Sequence, residues 1–517
     1  MNKIIFFKRK KTILFTLVCI GIVALLFNYY VNQIIVGLVN KNPNRTYNIE
    51  NNSISFSIIN QSITFKETEV KQLNQKNQTN TVLNASVKQI KIKGFSVYNL
   101  VFNKRIIANE IIITNPLFKI KSGDQEKKVA QNSKSINLFW KDILDNSIVK
   151  NITIVNGVVE TFKNDELGFS SKGINIALYD VKLNNNKTNN PLPFLYSDFN
   201  LEIGATYAQI GPLYETRISS FMATDASLNI KNIEVKPKLN LIDFNKSLKT
   251  EKDYTEIAID DLDFNNTSWT FVSDTVYVKA TKITVNNSAT TLHRNKNIKD
   301  DKTKKHLYSK IIRDLPFYIT IDTFNVNNGK LTYKELQNNK QDYGEVNFKN
   351  IAIRGQHINN YNYKKDKLKT KVNFKALFLG KSRINVDYSF ATKNTLDQYL
   401  LKGKLIDFHT SDLNILTKPM FNVSTHGTIK ELNFRINGSV YDASARVNMV
   451  YQDLKLTYGD NKGKNKLISK IANLILKNNR DYKHAKDVDV YILRDQQKSM
   501  YNQIIKCFVE SVKKTVL

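Results

Sequence analysis

Two cysteines, eight prolines and six histidines are all that 517 residues offer of the types that staple, break or metallate a chain. Cys19 sits inside an apolar run and Cys507 near the far end, so no disulfide framework is expected to hold the fold. His293, His306, His357, His409, His426 and His484 are dispersed, with no His-x-x-x-His and no cysteine pair at metal spacing, which argues against a structural metal. A Gly-x-Ser-x-Gly elbow, a glycine-rich phosphate loop and Gly-x-Gly-x-x-Gly are missing too. Acidic neighbours such as Asp260-Asp261 and Asp300-Asp301 can host acid/base work when their pKa values are pushed apart, but such pairs are more often turns or solvated faces. No catalytic cluster and no cofactor emerge, and the chain is expected not to be an enzyme. An enzyme would need a convergent polar cluster that the linear sequence hides. Prolines such as Pro116, Pro191, Pro193, Pro237, Pro316 and Pro419 are expected mostly at strand edges or loop ends.

Acidic residues are also scarce: 46 Asp and Glu face 77 Lys and Arg, a net charge of +31. The excess invites a nucleic-acid reading, which the pattern disfavours. Lysines such as Lys88, Lys91 and Lys93 form the polar half of a strand alternation and are not gathered on one helix or interleaved with aromatics. Attraction to anionic lipid surfaces is the useful alternative to plain Lys/Asn/Ile compositional bias.

A long uncharged apolar run occurs at the start, from Thr12 to Phe27, and with Asn28 to Val31 it reaches about the 20 residues a membrane-crossing helix needs. Lys3, Lys8, Arg9, Lys10 and Lys11 precede it, so the positive-inside rule keeps the N-terminus cytoplasmic and puts the rest outside. A cleaved signal peptide is the competing reading, although Phe27 to Asn32 shows no small-x-small cleavage pattern. The expected organisation is a cytoplasmic basic segment (1–11), a transmembrane helix (12–31), a juxtamembrane helix and linker (32–52), a β-region (53–460) and a C-terminal helical cap (464–517).

Short alternating windows recur through the β-region, among them Ile54 to Ile58, Ile111 to Ile113, Ile152 to Ile154, Phe317 to Ile321 and Ile384 to Val386. Asn156-Gly157 and Asn328-Gly329 each stand between strand patterns and read as hairpin turns, in surroundings similar enough to suggest a repeated module. Apolar residues at spacings 0, 2, 5 and 7 recur in Ile90/Ile92/Phe95/Val97, Leu228/Ile230/Ile233/Val235, Val278/Ala280/Ile283/Val285 and Ile319/Ile321/Phe324/Val326. The step of three keeps both halves on one face only if a bulge absorbs a residue; otherwise two short strands are joined by a turn. Helical periodicity predicts helices at Trp140 to Asp145, Lys464 to Lys477 and Asp495 to Val516, the last with the stripe Tyr501/Ile504/Ile505/Phe508/Val509/Val512/Val516. These terminal helices either pack against the end of the sheet or meet a membrane or partner.

The anchor, Val87-Lys-Gln-Ile-Lys-Ile-Lys-Gly94 running to Ile111-Ile-Ile-Thr-Asn-Pro-Leu-Phe-Lys-Ile120, the two Asn-Gly modules, His426 to Phe434 and Val447 to Leu456 together resemble the AsmA-like family of bacterial envelope proteins, in its Bacteroidetes-type form. The resemblance implies an elongated, curved, largely antiparallel β-sheet forming an apolar groove, with C-terminal amphipathic helices. It implies an inner-membrane, single-pass protein whose bulk is periplasmic and which binds lipid acyl chains, assisting phospholipid transport or outer-membrane assembly. Candidate groove-lining residues are Ile90, Ile92, Leu228, Ile230, Ile319, Ile321, Val346 and Phe348. The expected partners are phospholipid or another envelope lipid, the inner membrane, and outer-membrane or envelope proteins through the C-terminal helices, with no nucleic acid, cofactor or metal. The alternative is an envelope scaffold with closed β-sandwich domains that recognises another envelope protein.

Overall fold

The structure, a computed structural model, describes Tyr29 and residues 47–57, 60–72, 82–102, 107–122, 148–183, 194–272, 275–337, 342–458 and 479–516. The protein is mainly β, its 21 described strands forming a mixed sheet. Two units are distinguished, residues 1–208 with 220–225 and residues 209–219 with 226–517. The expected segment 1–11, the expected span 12–31 apart from Tyr29, and the helices predicted at 140–145 and 464–477 lie outside the described residues. Among the described residues, no helix is long and apolar enough to cross a membrane.

In the first unit β1 (Tyr47–Ser57), β2 (Ser62–Gln72), β3 (Val82–Lys93) and β4 (Ile107–Ser122) pair antiparallel in chain order, with α1 (Val97–Phe102) between β3 and β4. Strand structure therefore begins at Tyr47, inside the segment expected to be a linker. β5 (Ile148–Lys163) runs parallel to β4, and β6 (Glu166–Leu183) turns back antiparallel. Along β6 pair β7 (Phe194–Leu195), β8 (Asp198–Ile203) and β9 (Thr206–Ile210), and β8 also pairs with β10 (Tyr214–Thr224).

The second unit continues with β11 (Ser227–Pro237), α2 (Leu241–Ser247), β12 (Tyr254–Val272), β13 (Thr275–Asn295), α3 (Tyr308–Arg313), β14 (Tyr318–Leu336) and β15 (Gly344–Asn359). Then come β16 (Thr370–Phe378), β17 (Ser382–Phe390), β18 (Tyr399–His409), α4 (Asn414–Phe421), β19 (Val423–Gly438), β20 (Asp442–Tyr458), β21 (Val488–Leu493) and α5 (Met500–Val516). From β11 onward each strand pairs antiparallel with the next, except β13 and β14, which are parallel.

The Asn-Gly pairs do not make hairpins. Asn156 (φ 53°) and Asn328 (φ 54°) lie inside β5 and β14, where the ladder to the next strand slips at Gly157 and Gly329. The β5–β6 hairpin turns instead at Asn164-Asp165, both with positive φ, the pair of conformations a two-residue type I′ loop requires. At Gly157 and Gly329 a Cβ would press on an adjacent strand, 3.3 Å from Pro116 and 3.1 Å from Ile351, so the glycines serve close approach at a bulge. Pro116, too, is inside a strand and not at an edge, next to left-handed Asn115 (φ 49°) at the same break, and Pro419 lies within α4.

These breaks form rows that cross the sheet. In the second unit the ladders step over Asn232 opposite Asp260, Asp260 opposite Asn287, and Asn287 beside Asn328. A second row runs through Asn266, Thr281, Asp322 and His357. Left-handed residues follow a rule in both: antiparallel neighbours alternate, one left-handed and one not, while the parallel pairs match. Asn287 and Asn328 are both left-handed, and Thr281 and Asp322 are neither. The first unit repeats this arrangement 172 positions earlier, with Asn115 beside Asn156 for Asn287 beside Asn328, and Gly94 with Asn109 for Asn266 with Thr281. Asparagine tolerates the left-handed region because its short polar side chain bonds locally, so the Asn-rich composition has a structural use here.

Three of the four 0-2-5-7 patterns, at 228–235, 278–285 and 319–326, lie in single strands that cross a break row. Around the break in β13, Ala280 and Ile283 are both buried while Thr281 and Lys282 are exposed, so the pleat restarts on the same face. The pattern at 90–97 fits neither alternative: β3 ends at Lys93, Gly94 turns with φ 59°, and a helix, α1, follows in place of a second strand.

Candidate functional site

Because the breaks restore the same face, apolar side chains line up across the strands. In the second unit one row runs Ile230, Leu262, Val285, Val326, Ile353, Phe374, Val386, and continues through Gly403 to Phe434, Val447 and Val488. Beside it runs Leu228, Phe264, Ile283, Phe324, Gly355, Val372, Tyr388, Leu401, Ile436, Ala445 and Val490. The residues between them, Asn229, Asp263, Thr284, Asn325, Arg354, Asn373 and Asp387, give the sheet its polar face. Side chains there bond to each other across strands, as Asn229 Nδ2 does to Asp261 at 2.8 Å and Asp263 at 2.6 Å, and Asn373 Nδ2 to Asp387 at 2.8 Å.

Cover changes along the rows. From β17 to β21 they enter a packed core containing Leu401, Phe434, Ile436, Val447 and Val490, closed by Met500, Ile504, Cys507 and Phe508 of α5. Phe434 lies over Gly403, in the space a larger residue there would fill. From β11 to β15 neither packed apolar cluster of the described residues includes a strand residue, and Leu228, Ile230, Leu262, Phe264, Phe324 and Ile353 are only half-buried. At one end of these strands α2 inserts Phe244, fully buried against Tyr214 and Tyr254 at ring distances of 5.9 and 5.3 Å.

The first unit carries equivalent rows: Ile54, Phe65, Ile90, Ile113, Ile154, Ile176, Leu201, and Phe56, Ile63, Ile92, Ile111, Ile152, Leu178, Phe199. Ile113 and Ile154 stand 172 positions before Val285 and Val326. The β1–β5 part is packed, with Phe95 buried and edge-on to Phe56 at 5.7 Å; Ile154, Ile176 and Leu178 beyond it are half-buried.

Of the sequence candidates, Ile90, Ile92, Leu228 and Ile230 fall on these rows, and Ile319, Ile321, Val346 and Phe348 lie elsewhere on the strands. Ile90 and Ile92 belong to the packed cluster of the first unit. Leu228 and Ile230 begin the two long rows of the second. Ile319 and Ile321 lie across the second break row, beside Val278 and Ala280, and Ile321 faces Ile358. Val346 and Phe348 pair with Tyr333 and Leu331. All six of the second-unit candidates are half-buried.

The acidic neighbours are built into other structure. Asp260-Asp261 is mid-strand and not a turn; Asp261 shares the Asn229 amide with Asp263. The Asp263 carboxyl is pushed up, by burial first, and Asp261 is held down, by its hydrogen bond with Asp263 first, a split that belongs to the pair. Asp300 pairs with Lys498 at 2.6 Å, and Asp301 with Lys305. Among the described residues no group of three or more His, Cys, Asp or Glu is placed to hold a metal.

The inward side of α5 keeps Ile504 and Phe508 of the predicted stripe but is rotated from the stripe's centre. Gln503, Cys507 and Ser511 are buried, whereas Tyr501 and Ile505 of the stripe are exposed. Gln503 accepts from the Tyr399 hydroxyl at 3.1 Å, and this polar tie has no periodic signature. Arg494, missed as a site residue, lies buried beside the same tyrosine. No protein-family model matches the chain, and no curated protein does.

Proposed function

We propose that this is a membrane-anchored, non-enzymatic envelope protein that takes lipid acyl chains on the half-covered apolar rows of its sheet and assists phospholipid transport or outer-membrane assembly. The observation that carries the reading is the in-register run of apolar residues from β11 to β15, buried at Ile283, Val285 and Val326 and half-buried on either side at Leu228, Ile230, Leu262, Phe264, Phe324 and Ile353, backed by a polar face. Aliphatic surface of this kind gains about 0.8 kcal/mol per methylene that it takes out of water, so a stretch of acyl chain suffices for a stable complex. The elongated groove, the N-terminal anchor with its periplasmic orientation, and contact of the C-terminal helices with outer-membrane or envelope proteins belong to the same proposal.

A scaffold protein with closed domains is the second reading, favoured by the packed core beneath α5. The two differ over β11 to β15. Native mass spectrometry and solvent extraction of the detergent-solubilised full chain test the proposal. Wild type is expected to carry phospholipid, and Ile230→Lys and Ile321→Lys to lose it at least tenfold, since an unpaired ammonium in an apolar path costs well over the ~1.4 kcal/mol that factor represents. Equal lipid content in wild type and both variants refutes it.

A further inference from the structure

We propose that Arg494 and Gln503 form a buried oxyanion site, for a carboxylate or phosphate group, at the packed end of the second unit's apolar face. Arg494 follows β21 and is 8% exposed; its backbone N–H donates to Tyr441 O at 2.7 Å and its Nη2 to Lys305 O at 2.7 Å. Its Nε and Nη1 are buried and have no acceptor within hydrogen-bonding distance. Gln503, 2% exposed on α5, uses its Oε1 to accept from Tyr399 and leaves Nε2 without a partner. Tyr399 links the two, donating to Gln503 and lying within electrostatic reach of Arg494. What remains unmet is therefore donors alone, and only an acceptor fits them.

Charge distinguishes an anion from a water. The nearest buried carboxylate, Asp397 (3% exposed), accepts from Arg313 Nη2 and Ser309 Oγ, each at 2.8 Å, so it serves as the counter-ion of Arg313. Asp495 is exposed and caps the Gln497 N–H at 2.9 Å. Tyr388 and Tyr399 have their phenols pushed up by burial and stay neutral. The buried guanidinium of Arg494 and the largely covered one of Arg313 thus share one buried carboxylate. A water meets a donor but leaves the charge, whereas an oxyanion meets both, and a lone buried charge is strongly unfavourable. Burial accordingly pulls the Arg494 guanidinium below its usual range.

The oxyanion site stands on these donors. Its assignment to a lipid head rests on the reading above, and Tyr388 supports it by ending the half-covered stretch of the row that passes into Leu401 and Ile436. The test titrates inorganic phosphate against chloride at constant ionic strength, reading the melting midpoint of the delipidated full chain, with solvent extraction of the protein as purified. Wild type should show a saturable rise in midpoint. Arg494→Met should lose the rise while melting in chloride at or above wild type, because an apolar residue replaces a lone buried charge; Gln503→Leu should raise the half-saturating concentration roughly tenfold. Anionic lipid retained by wild type and lost in R494M assigns the site to a head group, and a phosphate response without retained lipid assigns it to a free anion. No saturable response together with unchanged lipid in R494M overturns the site. Unchanged lipid in Ile230→Lys with the phosphate response intact sinks the lipid face and leaves the oxyanion site standing.

Discussion

Asn327 and Asn328 are adjacent, both exposed, and each donates its amide to the residue beside it on β13, Asn286 and Asn287, at 2.8 Å. They differ in backbone: Asn328 is left-handed at φ 54° and Asn327 is not. Asn328→Val therefore loses an exposed hydrogen bond and forces a β-branched residue into a region that costs L-residues about 1–2 kcal/mol. Asn327→Val loses the same kind of bond but places a good strand former where φ is not positive, for a net change within about 0.5 kcal/mol. Asn328→Gly should lie between them, since glycine enters the left-handed region freely. Hydrogen exchange of peptides from β13 to β15 reads the opening of these strands directly. At about 1.4 kcal/mol per factor of ten, N328V should speed exchange there by roughly fivefold to thirtyfold and N327V by no more than about threefold. Equal effects of the two valines would show that the left-handed rows do not carry the fold.

Two further outcomes follow from side chains at the α5 end. Asp300 is held below the usual carboxylate range, by the hydrogen bond from Lys498 first, so its contribution is present above the ordinary value near ~3.9 and is lost as pH falls through the depressed one. Half exposed, the pair is worth under about 1 kcal/mol; the midpoint of Asp300→Asn should fall less steeply than wild type between about pH 5 and 2, and parallel profiles would refute the linkage. The Cys507 thiol is fully buried and pushed up to about 11 by that burial, so maleimide should label residue 507 only as α5 detaches, with mass spectrometry locating the adduct; rapid labelling of the native protein contradicts the packing.

The strands were legible because an apolar/polar alternation has period two whatever its partner, and Ile111 to Ile113, Val346 to Phe348 and Ile384 to Val386 all lie in strands. Where the strands break was only half legible. Spacing 0-2-5-7 locates a restart of the pleat, but in β14 the left-handed residue at that row is His357 on the neighbouring strand, which one segment cannot reveal. Asn-Gly misled for a related reason: both residues suit positive φ, and a bulge uses that freedom as readily as a hairpin does. The parallel pairs were invisible because their strands are joined through residues 123–147 and 296–317, and no local pattern records which edge a chain returns to. The apolar rows could be read from composition at each position, whereas Arg494 and Gln503 gain meaning only from what folding leaves unpaired around them.

The repeat explains why one break rule governs both units. Across each antiparallel pair of these rows a left-handed residue on one side faces a residue without positive φ on the other, so the local twofold of the ladder is broken there. In a parallel pair the strands are related by translation, so both residues at the break take the same conformation and their side chains stack. Asn156 Nδ2 to Asn115 Oδ1 at 3.0 Å and Asn328 Nδ2 to Asn287 Oδ1 at 2.8 Å are that stack in the two units. A side chain placed there must tolerate positive φ and both donate and accept, a pair of demands that asparagine meets and lysine, glutamate and the β-branched residues do not. The breaks in turn keep Ile111 and Ile113, and Ile283 and Val285, on the face shared by residues beyond the next row. Left-handed asparagines on the polar side thus hold the apolar side continuous, and the two properties that separate this sequence from an ordinary strand protein, many asparagines and odd-step apolar pairs, have one cause.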